Sequence, residues 1–334
     1  MAFPMIHPNR RAALAGLAAL LAVPALRRPA AAATAPLPLL TLWGPPAGPS
    51  ITLVHAIASG LLRPVADKVV FKAWRTPDEL RAGLTSGTMQ TFVLPTQSAA
   101  NLFNKGLGVR LVNVMTNGLL YLLSTDPSLT SVAALKGRSV AIPFRNDTPE
   151  YVFRRLLAAE RLTADGDVAL QFTGTPMEAI QLLVTGRADA ALLPEPAASA
   201  AILRAGMAGK TVTRVLDIQQ AWGAATGLAT VLPQAGLGVS AAFLAEHPAA
   251  VEALHDALVK ATAGVNADPA RAASDAAAPL GLPWPVIEQA IPHSNLVAQR
   301  ASAVREPMEA VFRALAEFDP KIIGGALPAA DFYL

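Results

Sequence analysis

TPDELRAGLTSGTMQTFVLPTQSAA (76–100) and TPMEAIQLLVTGRADAALLPEPAAS (175–199) are stretches of one chain set 99 residues apart, and they superimpose without a gap. Thr76-Pro77 falls on Thr175-Pro176, Leu84 on Leu183, Gly87 on Gly186, Leu94-Pro95 on Leu193-Pro194 and Ala99 on Ala198. Self-similarity at a fixed offset is the signature of a repeated structural unit. The β-like run 69–74 falls on 168–173, so the match extends upstream in pattern.

Each copy reads as the same order of elements. In the first, strands at 39–43, 69–74, 91–94 and 110–115 alternate with helices at 51–62, 77–86 and 98–105. In the second, strands at 139–143, 168–172 and 188–193 alternate with helices at 150–161, 177–185 and 197–205. Alternating strands and helices specify an α/β fold with parallel sheets and right-handed crossovers. Thr76, Thr148 and Thr175 each precede a proline, which reads as a hydroxyl N-cap followed by Pro at the first helical position. The expected fold class is two similar lobes, each with a doubly wound, mainly parallel sheet, joined by a two-strand hinge.

After Asp217 the pattern stops. Strand-like runs lie within 227–243, and helical segments are expected at 248–264, 284–290 and 298–318. If this tail returns to the first lobe, the chain crosses between lobes near 116–122 and near 219–226. The expected division is a leader at 1–33, one lobe from 34–117 with 224–334, and a second lobe from 118–223.

The leader is read from a basic start, Arg10-Arg11, an apolar run over 12–25 and the small residues Ala31-Ala32-Ala33. The apolar run is short of the ~20 residues a spanning helix needs. Asn9-Arg10-Arg11 is like a twin-arginine signal, with Ala13 where Phe is usual. The leader carries Arg10, Arg11, Arg27 and Arg28 and no acid, so the net charge of +3 less these four leaves about −1 for the remainder. No Lys/Arg cluster remains, which argues against nucleic acid or an anionic membrane as partner. The chain has no cysteine, so it holds no disulfide, thiolate nucleophile or Cys-ligated metal.

Four segments bear a family resemblance. VAALKGRSVA (132–141), AALLPEP (190–196), GLGVS (236–240) followed by Phe243-Leu244 and Glu246-His247-Pro248, and IGGALP (323–328) with Asp331-Phe332-Tyr333 occur in that order. Together they resemble type II periplasmic solute-binding proteins of ABC transporters, nearest the group that takes nitrate, sulfonates, taurine and thiamine pyrimidines. That resemblance implies a periplasmic protein that captures a small solute for an inner-membrane permease and its ATPase, as a monomer. The alternatives are an exported or biosynthetic enzyme on the same fold, or a receptor of a sensory or secondary transport system.

In open parallel sheets the ligand crevice lies beyond the carboxyl ends of the strands, beside helix N-termini. The loops expected there are 44–50 and 95–98 from one lobe, 144–148 and 195–196 from the other. Arg145, with Asn146 beside it, suits a carboxylate, sulfonate or phosphate; the alternative is a solvated surface arginine. Trp43 and Phe144 stand at roughly matching strand ends and suit a planar ligand, or else Trp43 is core. Gly44, Ser50, Thr96, Gln97, Ser98 and Thr148 supply backbone, hydroxyl and amide groups, with plain capping the alternative for Ser50 and Thr148. Glu195 either receives an amine or ring N–H, or holds the hinge. The expected solute is anionic or a planar heteroaromatic.

Catalytic, metal and cofactor sites are not expected. Of the five histidines, His7 lies in the leader, and His55, His247, His255 and His293 have no metal-ligand spacing. His55 reads as a satisfied core histidine. No Gly-x-Ser-x-Gly elbow, P-loop or Gly-x-Gly-x-x-Gly occurs.

Overall fold

The computed structural model describes residues 1–2 and 36–334. The leader motifs read from the sequence, Arg10-Arg11 and the small residues at 31–33, lie outside the described residues.

The first half of the chain runs β1 (Leu40–Gly44), α1 (Gly48–Ala58), β2 (Val69–Ala73), α2 (Pro77–Thr85), β3 (Thr91–Pro95), α3 (Thr96–Asn104) and β4 (Val109–Thr116). The second unit runs β5 (Leu120–Ser124), β6 (Ser139–Pro143), α4 (Thr148–Ala159), β7 (Ala169–Thr173), α5 (Pro176–Val184), β8 (Ala190–Pro194), α6 (Ala197–Met207), β9 (Thr213–Asp217) and α7 (Ile218–Thr226). The remainder is β10 (Ala235–Ser240), α8 (Ala241–Glu246), α9 (Pro248–Ala267), α10 (Pro269–Leu280), α11 (Trp284–Ala290), β11 (Leu296–Arg300) and α12 (Arg305–Ala316).

Two sheets result, ordered β11-β4-β10-β3-β1-β2 and β7-β6-β8-β5-β9. Read from β2 and from β7, their first five positions have one plan. A parallel triplet (β2-β1-β3, β7-β6-β8) is followed by one antiparallel strand (β10, β5) and then by β4 or β9. The antiparallel strand is the one that enters from the other lobe. The parallel strands end at the cleft, so a strand arriving through the connection starts there and runs the opposite way. The fold is thus two-lobed and α/β, with mostly parallel strands.

The 99-residue offset survives in three dimensions. Helix α2 and α5 start and stop 99 positions apart, as do β3 and β8. Thr76 and Thr175 each accept from the N–H three residues on, Glu79 and Glu178, whose carboxylates reach back to the N–H groups of Arg75 and Gly174. These are matched capping boxes. The third expected threonine cap differs: Asp147, not Thr148, caps α4, its carboxylate accepting from Thr148 N at 2.8 Å.

The tail departs from expectation. The segment 298–318 is not one helix, because Leu296–Arg300 pairs antiparallel with β4 and the helical period begins only at Arg305. Helix α10 was not anticipated, although Asp268 before Pro269 caps it by accepting from Arg271 N. The segment 219–226 is not a crossing either: α7 packs on α4 with Trp222 fully buried, and the return passes through 227–234. That return is bonded to the outgoing connection by Leu232 N to Asn117 O and Gln234 N to Thr116 O, which makes the two connections one hinge. Helices α11 and α12 also touch α6 and α4 of the five-stranded lobe.

Candidate functional site

Between the sheets lies a cleft of about 250 Å³, reached by the carboxyl ends of β1, β2, β3, β6, β7 and β8. Its walls are mainly apolar and include eight prolines, with Trp74, Phe144 and Met177 supplying larger faces. A cavity of about 150 Å³ already accommodates benzene, so this space suits a small ring. A second chamber of about 220 Å³ adjoins it and shares Trp74, Pro77, Pro95 and Asp147. That chamber is more polar, with Asn101, Asn146 and Tyr151 beside exposed Arg81, Lys105 and Lys321.

Helix N-termini do surround the cleft, and several of their donors are already engaged. At α1, Gly48 N donates to the Glu195 carbonyl of the opposite lobe, Pro49 has no N–H, and Ser50 N turns back to Ala47 O. At α4, Thr148 N donates to Asp147 and Pro149 has none; at α3, Thr96 N donates to Gln234 O. Helices α2 and α5 begin with proline and carry Glu79 and Glu178 in their first turns. Proline in the first turns of α1, α2, α4 and α5, and acids in those of α2, α4 and α5, make these ends poorer sites for an inorganic anion, whereas α3 has neither.

The expected residues separate into three groups. Phe144 and Thr148 line the apolar cleft, while Gln97, Ser98 and Asn146 line the polar chamber. Gln97, Ser98 and Thr148 also meet one another across the lobes: Gln97 Nε2 lies 3.0 Å from Asp147 Oδ1 and 3.1 Å from Thr148 Oγ1, and Ser98 Oγ donates to Asp147 Oδ1 at 3.2 Å.

The third group does not line the cleft. Arg145 is exposed, with its guanidinium over the Phe172 ring at 5.1 Å. Phe144 and Asn146 both adopt left-handed backbone (φ 64° and 60°), and this doubled turn accompanies the outward placement of Arg145. The Trp43 ring lies under Lys72 Nζ at 5.3 Å and packs on the core, so the cleft aromatic of this lobe is Trp74, held by Nε1 to Val93 O at 3.0 Å. Ser50 is not a cap but the third residue of α1, fully buried. A Cβ on Gly44 would stand 2.3 Å from Ser50 Oγ, so Gly44 lets β1 and α1 approach. Thr96 is a hinge residue, donating through Oγ1 to Pro233 O.

The Glu195 side chain is engaged within its own lobe. It is fully buried and receives Arg214 Nε at 2.8 Å, Arg214 Nη2, Ser199 Oγ at 2.9 Å and Ser199 N at 3.1 Å. Burial pushes its carboxyl up from the usual range, against the opposing pull of Arg214. Asp147 and Trp74 were not anticipated. The signal for Asp147 was its place before Thr-Pro, where an acid caps a helix as well as a hydroxyl does.

One constellation outside the cleft has the composition of a hydrolase triad. Ser59 Oγ lies 3.3 Å from His55 Nε2, and His55 Nδ1 lies 2.8 Å from Asp275 Oδ2. None of the described cavities includes Ser59, and the N–H groups of Ser59 and Gly60 are bonded to His55 O and Ile57 O, leaving no oxyanion donors there. His55 is a satisfied helix-packing histidine.

A cleft between two similar α/β lobes hinged by a pair of hydrogen-bonded connections defines the two-lobed periplasmic binding protein fold. The chain belongs to the NMT1-like family, which it matches over residues 80–280. None of the curated proteins matches it. Among solved structures it is similar to an ABC transporter protein from Parabacteroides distasonis, with TM-score 0.71 and 24% identity over 88% of this chain and 98% of that one. It is also similar to the periplasmic aliphatic sulphonate binding protein SsuA from Escherichia coli, with TM-score 0.67 and 19% identity over 87% and 93%. For the periplasmic nitrate-binding protein NrtA from Synechocystis PCC 6803 the values are 0.61 and 13%, over 76% and 70%.

Proposed function

We propose that this chain is the solute-binding component of an ABC importer, working in the periplasm after loss of residues 1–33 and delivering its solute to an inner-membrane permease. One lobe ends at 117 and resumes after the return at 227–234, and the other spans 118–226, beyond the expected limit of 223 because α7 stays with it; the protein acts as a monomer and catalyses nothing. The observation that carries the reading is the cleft itself, walled by strand ends of both sheets and closed by contacts between α3 and α4. A ligand touching both lobes binds the closed form better and shifts the population toward it.

SsuA and NrtA carry sulphonate and nitrate in their names. The apolar wall and the engaged helix donors of this chain favour the planar heteroaromatic end of the expected range over nitrate. A small ring between Trp74 and Phe144 matches the volume and the lining.

Native mass spectrometry of the purified protein tests this. A co-purified small molecule is expected, released on gentle activation, and its re-addition at 100 times Kd is expected to add ~2.7 kcal/mol of stability. A protein that carries no adduct and whose melting temperature is unmoved by a panel of heteroaromatic, sulfonate and nitrate solutes contradicts the proposal.

A further inference from the structure

Asp147 is the one carboxylate among the described residues lining either chamber, and it stands where they meet. It is 7% exposed. All its hydrogen bonds fall on one oxygen: Oδ1 takes Thr148 N at 2.8 Å, Gln97 Nε2 at 3.0 Å and Ser98 Oγ at 3.2 Å, with Thr148 Oγ1 at 3.5 Å. Among the described residues nothing donates to Oδ2 and no lysine or arginine pairs with the group. Oδ2 is not one of the fully buried atoms that lack a partner, so it is open to the chamber and able to take a donor from a bound molecule.

The surrounding charges do not fill that role. Arg81 is paired with Asp78 at 2.7 Å, Glu150 takes Arg154 and the Asn146 N–H, and Arg75, Lys105 and Lys321 are exposed at the rim, where solvent and salt screen them. An acidic ligand head placed at the junction would meet Oδ2 as a like charge. A nitrogen bearing hydrogen would complete it.

Resting on the solute-binding reading above, we propose that Asp147 Oδ2 selects the ligand: the solute carries an N–H donor group of the ammonium, amidinium or amino-heterocycle class, with its apolar ring in the proline-walled chamber. Specificity then comes from attraction at Oδ2 and from repulsion of carboxylates and sulfonates at the same point.

Three ring probes of similar size test this on the whole protein: benzyl alcohol, benzamidine and benzoate, each followed by thermal shift and calorimetry. Benzamidine is expected to bind at least tenfold tighter than benzoate. Asp147→Asn, which keeps the Oδ1 acceptor and removes the charge, is expected to erase that difference. Equal binding of benzamidine and benzoate, or a preference that survives Asp147→Asn, overturns the assignment while the cleft reading stands. Equal weakening of all three probes by Asp147→Asn reduces Asp147 to an inter-lobe clasp and also overturns it. If none of the three binds while a co-purified solute is present, the ring-and-nitrogen assignment is overturned and the cleft reading stands.

Discussion

Gly48 N–H donates to the main-chain carbonyl of Glu195 across 3.2 Å, so the N-terminus of α1 in one lobe is closed by the β8–α6 turn of the other. The turn is held in turn by its own side chain. Glu195 is clamped by Arg214 and Ser199, and the Arg214 guanidinium lies 5.4 Å from the Tyr121 ring. The turn that meets α1 therefore rests on a largely buried ion pair.

Arg214→Ala leaves Glu195 buried without its partner, and breaking a buried pair in this way costs ~3–5 kcal/mol. Chemical denaturation is expected to show that loss, and Glu195→Gln in the same background is expected to recover much of it. A single substitution that costs less than ~1 kcal/mol contradicts the pairing.

Asp147 gives the stability a pH dependence of known sign. Burial, the largest cause, raises its carboxyl above the ordinary value of 3.8, so the folded protein holds that proton more tightly than the unfolded chain. Stability from this group falls as pH rises from about 3.8 through the raised value, then levels off. The melting temperature of the wild type relative to Asp147→Asn is expected to decline across that window. A difference that does not change with pH removes the effect.

Arg145→Ala is expected to leave solute affinity within ~0.5 kcal/mol of wild type, as for an exposed surface change. Titration calorimetry with the co-purified solute decides. Loss of binding restores Arg145 to the site and requires its loop to turn inward.

Phe144→Ala removes one face of the cleft and is expected to weaken the solute by tenfold or more, which is about 1.4 kcal/mol. Trp43→Phe, outside the cleft, is expected to leave affinity unchanged. The reverse ranking contradicts the placement of the ring between Trp74 and Phe144.

Gly44→Ala drives a methyl group to within 2.3 Å of Ser50 Oγ and is expected to cost ~1–3 kcal/mol by overpacking. Adding Ser50→Ala is expected to relieve part of it. Additive losses contradict the packing role.

What the sequence made legible follows from locality. Thr-Pro caps and Gly87 and Gly186 at helix ends are local devices, so the repeated unit and the loops at the cleft could be read from neighbours in the chain. Non-local pairing could not. Strand β11 is a strand because β4, some 180 residues earlier, offers it an edge, and Leu296 to Arg300 carry little pattern of their own. In the loop 144–148 the side chains of Phe144, Asn146 and Thr148 line the two chambers and that of Arg145 does not, because the left-handed conformation of Phe144 is not a property its residue type announces. Trp74 and Asp147 escaped notice because each also does ordinary structural work, one bonded to Val93 O and the other capping α4.

Hydrogen exchange with and without the co-purified solute tests the central claim most directly. If the solute is held between the lobes, amides around 74–80 and 96–99 in one lobe and around 144–151 and 175–179 in the other gain protection together. Protection confined to one lobe, or located away from the cleft, contradicts the clamp.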